Sequence, residues 1–337
     1  MNQISSSKNF DHYPVMLEQV LKICEPEKGG LFVDCTFGSG GYSNAILSFP
    51  KTKVIALDRD LDTKKHAENT KKNYKNRFSF HNIKFSELNK VISKNTKVDS
   101  IIFDLGLSSL QIANLQRGFS FKSRGKPDMR MGLNSISAKE VLNDFDLKTL
   151  KDIFKLLGEE QEGFRIASNI VKERKKKPIL SIPDLVSIIK KSKKRDFKKK
   201  INISTKAFQA IRIFVNKEIS ELIEGLIKAT KLLKTNGKII IVTFHSIEDK
   251  IVKYFFTNFS GNKSRGSRYY PDIVENKILF RNYKNKIIRP TESEISLNSP
   301  SRSAKLRFAA RSDHDFFYPK DFKKNFFNYL ELESRRV

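Results

Sequence analysis

The feature that most limits how this chain can fold is a glycine loop set between two apolar runs. Leu31 to Cys35 reads as a buried strand, interrupted only near its end by Asp34. Thr36 and Phe37 follow, and then Gly38-Ser39-Gly40-Gly41 places three glycines in four positions. Such a backbone turns tightly and approaches a ligand with no Cβ in the way. Tyr42 to Phe49 has the apolar content of a short helix, and Lys53 to Leu57 reads as a second strand ending in Asp58. Strand, glycine loop, helix, strand and then a carboxylate twenty residues beyond Gly38 is the nucleotide-binding half of an open α/β sheet. In that arrangement Asp58 accepts hydrogen bonds from ribose hydroxyls. Asp60, just before Leu61-Asp62-Thr63, is placed to cap a helix.

The strict dinucleotide pattern wants glycine where Ser43 stands, so the motif alone leaves NAD and S-adenosylmethionine (SAM) both open. Composition narrows the partners. The chain has 337 residues, enough for a large domain with an insertion, and 65 Lys and Arg against 37 Asp and Glu give a net charge of +28. That balance favours a polyanion such as nucleic acid. Only two cysteines occur, Cys24 and Cys35, so a disulfide framework and a cysteine metal cluster are both excluded. Met1 to Phe10 lacks the apolar core of a signal peptide, and no apolar run reaches membrane-spanning length. The expectation is a cytoplasmic protein without a metal, a monomer or homodimer away from the membrane.

Further along, Pro14 suits the first turn of a helix carrying Val15, Leu17, Val20 and Leu21, with His12 before it. Phe78 to Phe85 reads as a third strand, whose last residue offers either a face for an adenine ring or a core contact. Val98 to Leu105 is a fourth buried strand. It delivers Asp104 to the carboxyl edge of the sheet, where open α/β folds bind their ligands. Residues 116–131 interleave Phe119 and Phe121 with cations, which suits either stacking on unpaired bases or a loop anchored by two core phenylalanines. From 137 to 204 the glycine-loop pattern is absent. Short helices are expected at Ala138–Leu142, Leu147–Leu157, Phe164–Val171 and Ile182–Lys191, with lysine-rich runs at 174–177 and 190–200. The α/β pattern resumes with one amphipathic helix over Thr205–Leu233 and a fifth strand over Lys238–Phe244. Ser246 and Asp249 have capping-box spacing, and His245 stands at the ligand edge. Leu279–Ile288 and Ser303–Ala310 pair as antiparallel strands. No role is assigned to the tail after Arg311.

Several segments, taken in order, resemble one family: the bacterial SAM-dependent methyltransferases that modify the N4 amine of a cytosine in the decoding centre of 16S ribosomal RNA. The resemblance spans roughly residues 10–312. It rests on His12-Tyr13-Pro14-Val15-Met16, Asp34-Cys35-Thr36-Phe37-Gly38, Leu57-Asp58-Arg59-Asp60, Asp104-Leu105-Gly106-Leu107-Ser108-Ser109 and Arg117-Gly118-Phe119-Ser120-Phe121. It continues through Asp128-Met129-Arg130-Met131, Phe208-Gln209-Ala210-Ile211-Arg212, Ser246-Ile247-Glu248-Asp249 and Arg302-Ser303-Ala304-Lys305-Leu306-Arg307. It implies SAM contacts at Gly40, Gly41, Tyr42, Asp58, Phe85, Asp104 and Gln111. Tyr42 replaces the family's usual histidine and Leu110 its usual proline.

The resemblance also implies a Rossmann-like methyltransferase sheet built from residues 1–111 and 205–312. A helical, substrate-recognising insertion over 112–204 interrupts it, and a tail follows over 313–337. The implied partner is 16S rRNA within the small subunit or an assembly intermediate. Other readings are an amine methyltransferase acting on another nucleic acid, or an RNA-binding assembly factor without catalysis. For amine methylation, Asp104 is the candidate catalytic group, an acceptor for the N4 hydrogens beside the Leu105–Ser109 backbone. Methylation at C5 would need an activated cysteine, and neither Cys24 nor Cys35 has that setting.

Overall fold

The computed structural model describes residues 14–193, 202–261, 277–281 and 283–336. His12, Tyr13 and the run from Lys194 to Lys200 lie outside them. Seven strands form one sheet: β1 Gly30–Asp34, β2 Thr52–Leu57, β3 Phe78–His81, β4 Val98–Asp104, β5 Leu233–Thr243, β6 Phe280–Arg281 and β7 Lys305–Arg311. Their order is β3-β2-β1-β4-β5-β7-β6. β1 to β5 run parallel, whereas β7 pairs antiparallel with both β5 and β6. The order reverses between β1 and β4, and the crevice outside their carboxyl ends is where this topology holds a ligand.

Apolar side chains leave the sheet on both faces, as a parallel sheet covered on both sides requires. Val33, Ile101, Ile239 and Ile241 enter one core, and their neighbours Phe32, Ile102, Ile240 and Val242 enter the other. Each such side chain contributes about 1.5–3 kcal/mol on burial. The second core is closed by α1 Leu17–Cys24, α2 Gly41–Leu47 and α3 Lys64–Tyr74. After β4 come α4 Ser109–Ala113, α5 Ala138–Asp144, α6 Leu147–Asp152, α7 Gly163–Arg174 and α8 Ile182–Ser192, with a π-helical stretch at Ile153–Leu157. The apolar faces of α5 to α8 join the first core together with α9 Thr205–Asn216, α10 Glu218–Leu232 and α11 Ser246–Asn258.

Three expectations change. The single helix over Thr205–Leu233 is two helices, because Lys217 adopts a left-handed conformation with φ 51°. Asn216 explains the break: its fully buried side chain accepts from Met131 N at 2.8 Å and donates to Met129 O at 2.8 Å, tying the end of α9 to the 129–131 loop. α10 therefore starts in a new direction, with its N-terminus at the crevice. The third strand stops at His81, and Phe85 instead opens a 3-10 turn over Phe85–Lys90. Finally, the tail is structured. After α12 Glu292–Leu297, it forms α13 Lys320–Asn325 and α14 Phe327–Ser334. Phe322 packs 4.6 Å from Phe255 of α11, ring centre to ring centre, and the buried Glu333 accepts from Ile219 N and Ser220 N at the start of α10.

Candidate active site

The glycine loop leaves β1 at the crevice. Gly38 has φ 55° and its N–H donates to Asp58 Oδ2 at 2.8 Å, so loop and carboxylate are fixed to each other. Gly40 has φ 85° and precedes α2; a Cβ there would meet the Phe37 ring at 2.7 Å. At Gly41 a Cβ would stand 2.2 Å from Pro14. Gly41 and Tyr42 line the crevice, whereas Gly40 sits behind Phe37 and serves the turn itself. The Tyr42 hydroxyl donates to Val15 O deep in the core, so only its backbone is free to face a ligand. Asp34 is held by Ser43 Oγ at 2.7 Å, and burial pushes its carboxyl up to about 6.

Asp58 lies at the tip of β2, accepting also from Asp60 N at 2.9 Å, and burial raises its carboxyl to about 6. Asp60 caps the turn after it, accepting from Asp62 N at 3.1 Å. Its other oxygen accepts from Gln111 Nε2 at 2.8 Å and from Arg117 at 2.6 Å. Gln111 thus lines the crevice with its amide engaged, its Oε1 accepting from Ser108 N at 3.1 Å in a capping box. Phe85 packs edge-on against Phe103, ring centres 5.3 Å apart, and lies over Gly225 of α10, where a Cβ would come within 2.7 Å of its ring. The remaining surface of Phe85 faces the crevice.

Asp104 ends β4. Its backbone N–H donates to Thr36 Oγ1 at 2.7 Å, but its buried Oδ1 has no hydrogen-bond partner. Burial raises this carboxyl well above its ordinary value, and Asp34, Glu248 and Glu294 push it the same way. The new direction of α10 adds Glu218 and Glu221 to the same wall, and α11 adds Glu248. Five carboxylates against the single cation Arg59 line this crevice, inside a chain of net charge +28. A crevice lined by acids, with Arg59 as its one cation, offers little to a pyrophosphate and accommodates a sulfonium or ammonium group. The orphaned Asp104 oxygen is suited to receive such a cationic or donor group.

The sequence pattern of the MraW methylase family matches residues 9–312. The chain belongs to this family. It is 42% identical over 303 residues to the ribosomal RNA small subunit methyltransferase H of Rickettsia akari (strain Hartford), covering 89% of this chain and 98% of that one. It is 41% identical over 309 residues to the protein of the same name from Orientia tsutsugamushi (strain Boryong), covering 90% and 99%. As a member of the MraW family the chain is a SAM-dependent methyltransferase with a Rossmann-like fold.

Sequence reasoning about this MraW-family site missed Glu218 and Glu221, which reach the crevice only because α9 and α10 separate at Lys217. Asn216, the side chain behind that break, was missed with them. The cap of α11 also differs from expectation. His245, not Ser246, is the N-cap: its Nδ1 accepts from Glu248 N at 3.4 Å, while Glu248 Oε2 accepts from Phe244 N at 2.9 Å and His245 N at 3.3 Å. Asp249 instead pairs with the buried Arg307 at 2.7 Å. Glu218, His245 and Glu248 stand close enough to surround a cation, but both carboxylates are already engaged. His245 Nε2 stands 3.0 Å from Glu248 Oε1 without a hydrogen-bond partner, and Arg212 pairs with Glu218 through two bonds of 2.8 Å. Such a set fits a charge network rather than a metal cage. Burial pushes the Cys24 thiol up to about 12 and the Cys35 thiol well above its usual value, so neither is a nucleophile here.

Proposed function

We propose that the chain transfers a methyl group from SAM to the N4 amine of a cytosine in the decoding centre of 16S ribosomal RNA, in the cytoplasm. The observation that carries this reading is Asp104, an orphaned buried carboxylate at the switch point of an acid-lined crevice. The names of the relatives support the rRNA of the small subunit as substrate class. We assign SAM contacts to Gly41 and the Tyr42 backbone on the loop, to Asp58 at the ribose, to Phe85 at the adenine and to Asp104 and Gln111. Gly40 shapes the loop. Bound SAM supplies the electrophilic methyl group. In its ionised form Asp104 accepts a hydrogen bond from the exocyclic amine and stabilises the positive charge that develops on nitrogen. As the C–N bond forms the methyl–sulfur bond breaks, S-adenosylhomocysteine leaves, and Asp104 takes the amine proton. The target base must leave its stack to reach this depth. We read residues 1–111 and 205–312 as the catalytic domain and 112–204 as the insertion that receives RNA.

The test is mass spectrometry of rRNA nucleosides from cells lacking the gene, complemented with wild type, Asp58→Ala or Asp104→Asn. Loss of N4-methylcytidine restored only by wild type is the expected result. An unchanged nucleoside profile removes this substrate and directs the search to another nucleic acid or to a non-catalytic assembly role. Asp104→Asn that loses SAM affinity but turns over normally at saturating SAM would reduce Asp104 to a cofactor ligand.

A further inference from the structure

The cationic segment 116–131 sorts its charges by direction. Arg117 turns inward to Asp60 at 2.6 Å and Asp62 at 2.9 Å, and Arg130 is held by Asp128 at 2.7 Å. Phe119 is buried and Phe121 packs edge-on against Phe208 of α9, ring centres 6.3 Å apart. Phe119 is therefore a core anchor, whereas Phe121 is half-buried and its remaining surface lines a groove beside Lys190 and Lys191. Ser123 is also buried, donating to Leu115 O and accepting from Gly125 N at 3.1 Å. Gly125 O accepts from Ile182 N at 3.0 Å, which joins this loop to the start of α8.

With Ser123 turned in and Phe121 packed against Phe208, Lys122, Arg124 and Lys126 all point out. Arg124 lies between two shallow grooves: one is completed by Lys190 and Lys191 on the last turn of α8, the other by Lys126. All five cations are exposed, and none has a carboxylate partner among the described residues. Of the acids around them, Asp128 is held by Arg130, Asp184 by Ser181, and Glu173, whose charge Lys191 also feels, by Lys176. The segment leaves the wall of the catalytic crevice at Ile112 and returns to it at Met131. A cationic ridge on a hydrogen-bonded backbone, anchored at both ends to the site, is the form of a phosphate track.

We propose that Lys122, Arg124 and Lys126, with Lys190 and Lys191, grip the backbone phosphates of the substrate RNA and so position the target base at the crevice. This inference rests on the rRNA reading above. It assigns the inserted helices a role in positioning through charge, with no sequence readout.

The test compares wild type with a loop variant, Lys122→Glu/Arg124→Glu/Lys126→Glu, and a helix variant, Lys190→Glu/Lys191→Glu. The control reverses three exposed lysines of α3 on the opposite face of the sheet, Lys64→Glu/Lys65→Glu/Lys71→Glu. Substrates are small ribosomal subunits from cells lacking the gene, and SAM affinity is measured beside them. Loop and helix variants are expected to raise KM for subunits about tenfold or more, with kcat and SAM affinity unchanged. The loop variant should also flatten the dependence of log affinity on log salt by about 2. The control should do neither. Unchanged KM and salt slope in both variants, with wild type active, overturn the track and leave the proposed function standing. Wild type that neither binds nor methylates subunits overturns both. Variants that lose binding to phosphatidylserine vesicles but keep their subunit KM would assign the ridge to a membrane surface and overturn the RNA track.

Discussion

At the scale of single residues, Asp58 and Asp104 do different work with the same chemical group. Asp58 is satisfied by two backbone N–H groups, yet burial still raises it to about 6. Ribose hydroxyls donate to the ionised form, so binding SAM favours loss of that proton. SAM affinity is therefore expected to hold above pH 7 and to fall as pH drops through about 6, read by titration calorimetry between pH 5 and 8. Asp58→Asn should remove that step and weaken binding about 10- to 100-fold, the worth of hydrogen bonds to a charged acceptor. Gly225→Ala tests the ring in the same crevice. An added methyl 2.7 Å from Phe85 must displace it, so SAM affinity should drop several-fold with little change in the far-ultraviolet circular dichroism. Both aspartates were legible in the sequence because each closes an apolar run, and strand ends converge at the switch point. Glu218, Glu221 and Asn216 were not. Residues 205–233 have an unbroken helical period, and the left-handed turn at Lys217 depends on Asn216 reaching a loop more than eighty positions earlier.

Whole elements show where periodicity stops being informative. The parallel strands were readable because buried strands are dense in β-branched residues. Of the antiparallel pair expected between Leu279–Ile288 and Ser303–Ala310, only the two-residue β6 pairs with β7 as a strand among the described residues, and the main partner of β7 is β5. The tail was unreadable, since its meaning lies in what it caps. Glu333 of α14 reaches Ile219 N and Ser220 N and satisfies donors that α10 leaves open at its N-terminus. Arg335, two residues on, pairs with Asp152 of α6 at 3.0 Å, so the tail ties α10 to the inserted helices. This clasp lies beyond residue 312, where the family match ends. Glu333→Ala is expected to cost about 1–2 kcal/mol, as loss of other helix caps does, measured by urea unfolding. Burial raises the Glu333 carboxyl to about 8 from an ordinary 4.5. A carboxyl raised on folding contributes stability that is complete below about pH 4.5 and is lost as pH rises through about 8. Relative to Glu333→Gln, the wild-type melting temperature should therefore decline between pH 5 and 8. A constant difference across that range would mean that Glu333 is ionised throughout.

The whole molecule combines two opposed electrostatic surfaces, which composition alone could not separate. A net charge of +28 is an average over an exterior rich in unpaired lysines and a crevice lined by five carboxylates and one cation. The exterior suits a polyanion and the interior a small cation. Salt distinguishes the two, because counterions screen exposed charges over about 8–10 Å and reach buried ones far less. Raising salt from 50 to 200 mM should lower affinity for small ribosomal subunits by several orders of magnitude if six or more phosphates are gripped. Over the same range SAM affinity should change less than about threefold. Both are measured on one preparation, subunit binding by filter retention and SAM binding by calorimetry. If SAM affinity falls as steeply as RNA affinity, the crevice is open to solvent and its acidity is a surface property. A flat RNA response would mean that the exterior lysines are merely solvated and that the RNA is held by contacts other than phosphate.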